Sequence, residues 1–149
     1  MMNGKYITQD GKEAFYYMGC YGIGVSRTVA AIYEQYLIND PKFGPCGFSL
    51  PENIAPFKVQ IVPKMESQEK LELAEKIYSK LQAENIGVIL DDREVITMGA
   101  KIRDCKVLGT PYLLVIGDKT DGTMLELEHI KTGEKTPVTL EELIRKFQK

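Results

Sequence analysis

The chain has 149 residues, a length that points to one domain or one domain with an appendage. Apolar residues make up 44% and charged residues 27%, which excludes wholesale disorder, a collagen-like repeat and a bundle of membrane spans. Nineteen Lys and Arg against 21 Asp and Glu leave a net charge of −2, so any site for a polyanion has to be local.

No apolar run approaches the ~20 residues of a spanning helix. The opening Met1-Met2-Asn3-Gly4-Lys5-Tyr6 has no apolar stretch of the secretory kind, so the expectation is a cytoplasmic chain with no membrane partner. Cys20, Cys46 and Cys105 are widely spaced and never form a C-x-x-C pair, which suits reduced thiols better than a disulfide framework. With His129 as the one histidine, no metal site is expected.

In chain order, Tyr6-Ile7-Thr8 and the aromatic run Ala14 to Met18 flank Asp10-Gly11, a hairpin signal. Gly19, Gly22 and Gly24 bend the chain into a helix expected from about Arg27 to Leu37, capped by Ser26. Val29, Ile32, Tyr33 and Tyr36 give that helix one apolar face. Residues 39–55 are rich in Gly, Pro and Asx and read as an irregular linker.

From Phe57 the pattern alternates strand and helix. Phe57 to Val62 is a strand, Ser67 to Glu84 a helix, and Gly87 to Leu90 a second strand. A short helix fits Thr97 to Leu108, stopped by Gly109, and Tyr112 to Ile116 is a third strand. Met124 to Ile130 and Thr136 to Val138 form a closing hairpin, and Thr139 with Glu142 makes a capping box for a last helix. Right-handed crossovers make the first three strands parallel, and the hairpin adds an antiparallel edge. The fold class is α/β, a mixed and mainly parallel sheet flanked by helices. The first 38 residues cannot bury enough surface to stand alone and read as the end of a larger domain, whose apolar faces seek a partner.

The segment Met18 to Arg27 carries the most chemistry. Its bland alternative is a glycine-rich turn before a helix. It is neither a Walker A loop nor a dinucleotide fingerprint. Glycines let a flat base approach the backbone, a helix start offers N–H groups to an anion, and Arg27 is a permanent cation for phosphate. The string Gly19-Cys20-Tyr21-Gly22-Ile23-Gly24-Val25-Ser26-Arg27 resembles motif 3 of bacterial-type prolyl-tRNA synthetases, class II aminoacyl-tRNA synthetases. Ile54-Ala55-Pro56-Phe57, Leu90-Asp91-Asp92-Arg93, Gly99-Ala100-Lys101 and Leu108-Gly109-Thr110-Pro111 continue the likeness in order.

That resemblance implies a C-terminal portion of such an enzyme. Residues 1–38 would be the motif 3 end of the catalytic domain, 39–55 the linker and 56–149 the anticodon-binding domain. Arg27 would contact an ATP phosphate, Gly22 and Gly24 would flank the adenosine, and Cys20 would face the proline pocket. The complete enzyme would use proline and Mg-dependent ATP, charge proline tRNA, tRNA(Pro), and form a homodimer. Motifs 1 and 2 are missing from this sequence, so the chain alone is expected to be inactive and to hold no cofactor.

Asp91-Asp92-Arg93-Glu94 follows a buried strand and sits where open α/β sheets bind ligands. A solvated charged loop is the plain alternative. Guanine offers paired N–H donors to a carboxylate and acceptors to a cation, and unstacked loop bases expose those edges. Asp91, Asp92, Arg93, Glu94 and Lys101 are therefore the anticodon-binding candidates, and Lys101, Arg103 and Lys106 form a small basic cluster in sequence. Leu50-Pro51 stands where the family usually has Trp-Pro, so a bulky anchor is expected to be missing there. Ile130 stands where an arginine is frequent. Two other readings remain open, a free-standing RNA-binding module and a protein-interaction module.

Overall fold

The structure, a computed structural model, describes residues 3–40 and 44–148. A hairpin of β1 (Lys5–Ile7) and β2 (Glu13–Phe15) comes first, turned at Gly11 with φ of 74° as the Asp-Gly pair predicts. The helix α1 (Val25–Gln35) starts earlier than the sequence suggests, with Gly24 rather than Ser26 as its N-cap. The Gly24 carbonyl accepts from both the Thr28 N–H and the Thr28 hydroxyl, which closes the first turn there. No residue of α1 is fully buried. Ile32, Tyr33 and Tyr36 are half-buried, and Val29, expected on the same face, is exposed.

The expected irregular stretch contains two strands, β3 (Leu37–Asp40) and β4 (Gly44–Phe48), paired antiparallel with a bulge between Ile38 and Asn39. Pro41, Lys42 and Phe43 of the expected linker lie outside the described residues. The glycines that argue against a strand here shape one, because Gly44 at φ of 72° supplies a backbone angle that other residues resist.

Then follow β5 (Val59–Pro63), α2 (Gln68–Ala83), β6 (Val88–Leu90), α3 (Met98–Leu108), β7 (Tyr112–Ile116), β8 (Leu125–His129), β9 (Glu134–Val138) and α4 (Leu140–Phe147). The sheet order is β6-β5-β7-β8-β9, with β5 parallel to both neighbours and β8 and β9 antiparallel. Right-handed crossovers demand this arrangement of the first three. The capping box of α4 is present in both directions, Thr139 to the Glu142 N–H and Glu142 to the Thr139 N–H.

Strand alternation sends side chains to two faces. Val59, Ile61, Leu114, Ile116, Leu125 and Leu127 meet Ala74, Ile77 and Leu81 of α2 and Leu143 and Phe147 of α4. On the other face, Val62, Leu113 and Ile130 meet Cys105 of α3. Burial pushes the Cys105 thiol up to about 12, so it stays protonated.

The chain from the amino terminus docks on the far end of α3. Tyr33 donates to the Leu108 carbonyl at 3.3 Å, and its ring meets Phe48 edge-on at 5.0 Å. The Leu50 N–H donates to the Gly109 carbonyl at 2.9 Å, and Leu50 is buried against Gly109, which ends α3 at φ of 79°. Leu50 therefore acts as the anchor that the sequence suggested was missing. Gly47 of β4 presses on Lys106, where a Cβ would sit 2.7 Å from the Lys106 carbonyl oxygen. The substitution Gly47→Ala should cost about 1–3 kcal/mol, read as a lower midpoint in chemical denaturation. A variant as stable as the parent would show that β4 is not held against α3.

Candidate nucleic-acid interface

The parallel strands β5, β6 and β7 end along one rim, where open α/β sheets take ligands. The turn after β6 and the first turn of α3 build that rim. Thr97 caps α3 by accepting from the Ala100 N–H. The Asp91 N–H extends the ladder to the Ile61 carbonyl at 2.9 Å, and the Asp91 side chain is 4% exposed.

Three side chains converge on that carboxylate. Arg93 donates from Nε to Oδ1 at 2.8 Å and from Nη2 to Oδ2 at 2.7 Å, a bidentate pair. Its Nη2 also reaches Asp104 Oδ2 at 2.7 Å. Gln60 of β5 donates from Nε2 to Asp91 Oδ2 at 3.3 Å. Lys101, 1% exposed, donates to the Asp91 carbonyl at 2.8 Å, and its Nζ stands 3.9 Å from Asp91 Oδ1. The hydrogen bonds from Arg93 hold the Asp91 carboxyl below the usual carboxylate range despite its burial.

The five anticodon candidates thus gather at one rim in two roles. Asp91, Arg93 and Lys101 engage one another and fix the turn. Asp92 and Glu94 are exposed, with no side-chain hydrogen bond or ion pair among the described residues. The basic cluster of Lys101, Arg103 and Lys106 does not form one patch. Lys101 is buried under α3, Lys106 packs against Gly47, and Arg103 faces solvent, because steps of two and five residues from Lys101 point away from its face of the helix.

The helix α3 stands as a ridge between two grooves. On one side Asp104, Val107 and Leu108 face Gln60, Ile89 and Leu90 of the sheet across a groove of about 430 Å³, with Asp91, Asp92 and Arg93 at its end. On the other side Met98 and Ile102 floor a groove of about 720 Å³ over β7, β8 and β9. Its walls hold Lys64, Lys119 and Lys135 with Glu66, Asp118, Glu126 and Glu128. Several of these charges already pair, Lys64 with Asp118 at 2.7 Å and Lys135 with Glu126 at 2.7 Å. Glu94 and Lys101 share a niche with Lys64 and Glu66 beside it.

Gln60, Asp104, Lys64 and the β8–β9 charges were not singled out in the sequence. The alternation in Leu125-Glu126-Leu127-Glu128 was the available signal, since burying the leucines on one face turns the glutamates to the other. Ile130 is buried in the second core cluster, and His129 meets Thr132 Oγ1 at 3.0 Å. In the amino-terminal segment, Cys20 and Gly22 lie in the irregular stretch before α1, Gly24 is its N-cap, and Arg27 is in its first turn. All four are exposed.

This α/β sheet with an open strand-end rim is the framework of a small ligand-binding module. Residues 58–149 match the family described as Anticodon binding domain, and the chain belongs to that family. A proline–tRNA ligase of Fusobacterium nucleatum is 41% identical over 148 residues, 99% of this chain and 25% of that protein. One of Bacillus mycoides is 41% identical over 143 residues, 95% of this chain and 24% of that protein. The chain therefore spans about a quarter of the length of these curated relatives. A crystal structure of prolyl-tRNA synthetase from Cryptosporidium parvum shares the fold, with a TM-score of 0.67 and 16% identity over 97% of this chain and 30% of that one.

The depressed Asp91 titration has a signed consequence. Its stabilisation is complete above the unfolded carboxylate value near ~4 and is lost as pH falls through the lower folded value. Replacing Asp91→Asn removes the counter-charge of buried Lys101, while exposed Arg93 keeps Asp104, and should cost about 2–3 kcal/mol at pH 7. The gap in stability between parent and variant should narrow below about pH 4, followed by denaturation at several pH values. A gap independent of pH would remove the ion pair from the account.

Proposed function

We infer that this chain is the anticodon-reading part of a proline–tRNA ligase and grips the anticodon loop of proline tRNA at the rim of its sheet. The observation that carries this reading is the groove of about 720 Å³ beside α3, lined by charges of both signs over the apolar floor of Met98 and Ile102. Its three lysines face four acidic residues, so it is not a phosphate-binding trough. Carboxylates there accept from base amines, lysines meet base carbonyls or nearby phosphates, and the floor takes an unstacked ring. Asp92 and Glu94 extend the acceptor set, on a turn held by Asp91, Arg93 and Lys101.

Residues 1–38 are read as the end of the catalytic domain, 39–55 as the connection and 56–149 as the anticodon module. The exposure of Tyr17 and Tyr21, each 96%, supports an amino-terminal segment shaped to be covered by more of that domain. In the complete enzyme Arg27 would hold an ATP phosphate, Gly22 and Gly24 the adenosine, and Cys20 the proline pocket. Such phosphoryl chemistry rests on positioning and charge neutralisation by several groups at once. The isolated chain should therefore show no proline-dependent ATP–pyrophosphate exchange above a buffer blank. Measurable exchange would refute that assignment.

The binding reading is tested by titrating the chain with proline tRNA and with the same tRNA carrying replaced anticodon guanines. Binding should depend on those guanines. With three lysines at the groove, the slope of log affinity against log salt should be no steeper than about −2. Equal affinity for both RNAs, with a steep salt slope, would mark non-specific binding and end this reading.

A further inference from the structure

The helix α3 runs away from the rim for 11 residues, about 16 Å. Near the rim, its Lys101 donates to the Asp91 carbonyl and its Asp104 accepts from Arg93. The far end is closed by residues that precede the family match, which begins at residue 58. A helix leaves its last four carbonyls without partners of its own. Here the Leu108 carbonyl accepts from the Tyr33 hydroxyl at 3.3 Å, and the next carbonyl, of Gly109, accepts from the Leu50 N–H at 2.9 Å.

The fit at that end is close. A Cβ on Gly109 would stand 3.0 Å from the Leu50 side chain and 3.5 Å from the Tyr33 ring. Tyr33 meets Phe48 of β4 edge-on, and Gly47 of β4 rests on Lys106. The helix α1, by contrast, has no fully buried residue. Besides Tyr33 it is tied by Tyr36, whose ring faces the Lys131 ammonium at 5.4 Å. An element with so little buried surface opens at small cost, so the end of α3 has a closed and an open state. A second tie lies elsewhere: Tyr112 at the start of β7 donates to Glu52 at 2.6 Å. The ring partners of Tyr112 are His129 and Phe147, off α3. Holding the amino-terminal segment and closing α3 are thus separable.

We propose that the end of α1, β4 and Leu50 are part of the RNA-binding unit, closing α3 so that the rim keeps the shape RNA takes, with Tyr33 as a positioning residue. An α-helix bonds each residue to the fourth before it, so Leu108 leads back to Asp104, and through Arg93 to the turn that carries Asp92, in one step. A closed end limits fraying along that step. The inference rests on the anticodon reading above and adds to it a segment outside the matched domain.

The test removes each hydroxyl and keeps its ring, in Tyr33→Phe and in Tyr112→Phe, and titrates an anticodon stem-loop RNA of proline tRNA at one salt concentration. Tyr33→Phe should bind about 3- to 10-fold more weakly than the parent, the worth of one hydrogen bond. Tyr112→Phe should stay within about twofold of the parent. Coupling is reciprocal, so RNA bound to the parent should slow hydrogen exchange at the Leu50 amide, a readout that needs no variant. If Tyr33→Phe binds as well as the parent, or both variants lose the same affinity, or the Leu50 amide ignores bound RNA, the segment is only a tether. The inference is then overturned while the anticodon reading stands. If the parent binds without need of the anticodon guanines, the anticodon reading falls and this inference falls with it.

Discussion

A lysine ammonium beneath a helix is the constraint on which the rim depends. Lys101 is almost wholly removed from water, and an ammonium there is tolerable only with oxygen close by. The Asp91 carbonyl supplies a hydrogen bond and the Asp91 carboxylate a counter-charge. To do both, the chain must leave β6 with Asp91 turned inward, and Arg93 then folds back over the same carboxylate. The path of the turn, the start of α3 and the exposure of Asp92 and Glu94 all follow from satisfying that one buried charge. Arg93 also ties the turn to Asp104 of α3 at 2.7 Å.

The same helix divides the exposed face of the sheet. Because α3 lies over the middle strands and the partner helices α2 and α4 are on the opposite face, β6 on one side and β8 with β9 on the other keep uncovered surface. Three stripes of α3 then do different work. Lys101 and Cys105 face inward, Met98 and Ile102 floor one groove, and Asp104 with Leu108 lines the other. An α/β module with helices packed evenly on both faces would have no such channels.

Regular elements were legible from residues 57 onward, because strongly apolar strands, clear caps and crossover rules agree there. Thr139 with Glu142 and Gly109 marked helix ends that the structure reproduces. The strands between residues 37 and 48 were not legible, since composition rich in Gly and Pro argues for a loop and only the docking of β4 on α3 overrides it. The start of α1 differs from the sequence reading: Gly24 is the N-cap with no side-chain cap hydrogen bond, and Ser26 falls within the first turn. At the site, Asp91, Asp92, Arg93, Glu94 and Lys101 do gather at one rim, whereas Arg103 and Lys106 do not join them. Their division into a buried clasp and an exposed pair was invisible, because spacing gives the neighbourhood of Asp91 and Lys101 and says nothing of which is desolvated. Gln60 was hidden inside an apolar strand, where a lone amide gives no periodic signal.

The outer strand β9 contains Pro137, opposite Glu126 of β8. Proline offers no N–H, and flanking charges at Glu134 and Lys135 make dehydration of that margin costly. A second molecule therefore finds no complete row of donors on which to lengthen the sheet. A protein with one uncovered sheet surface and unsatisfied apolar segments elsewhere is in this way protected from stacking into ribbons through that border.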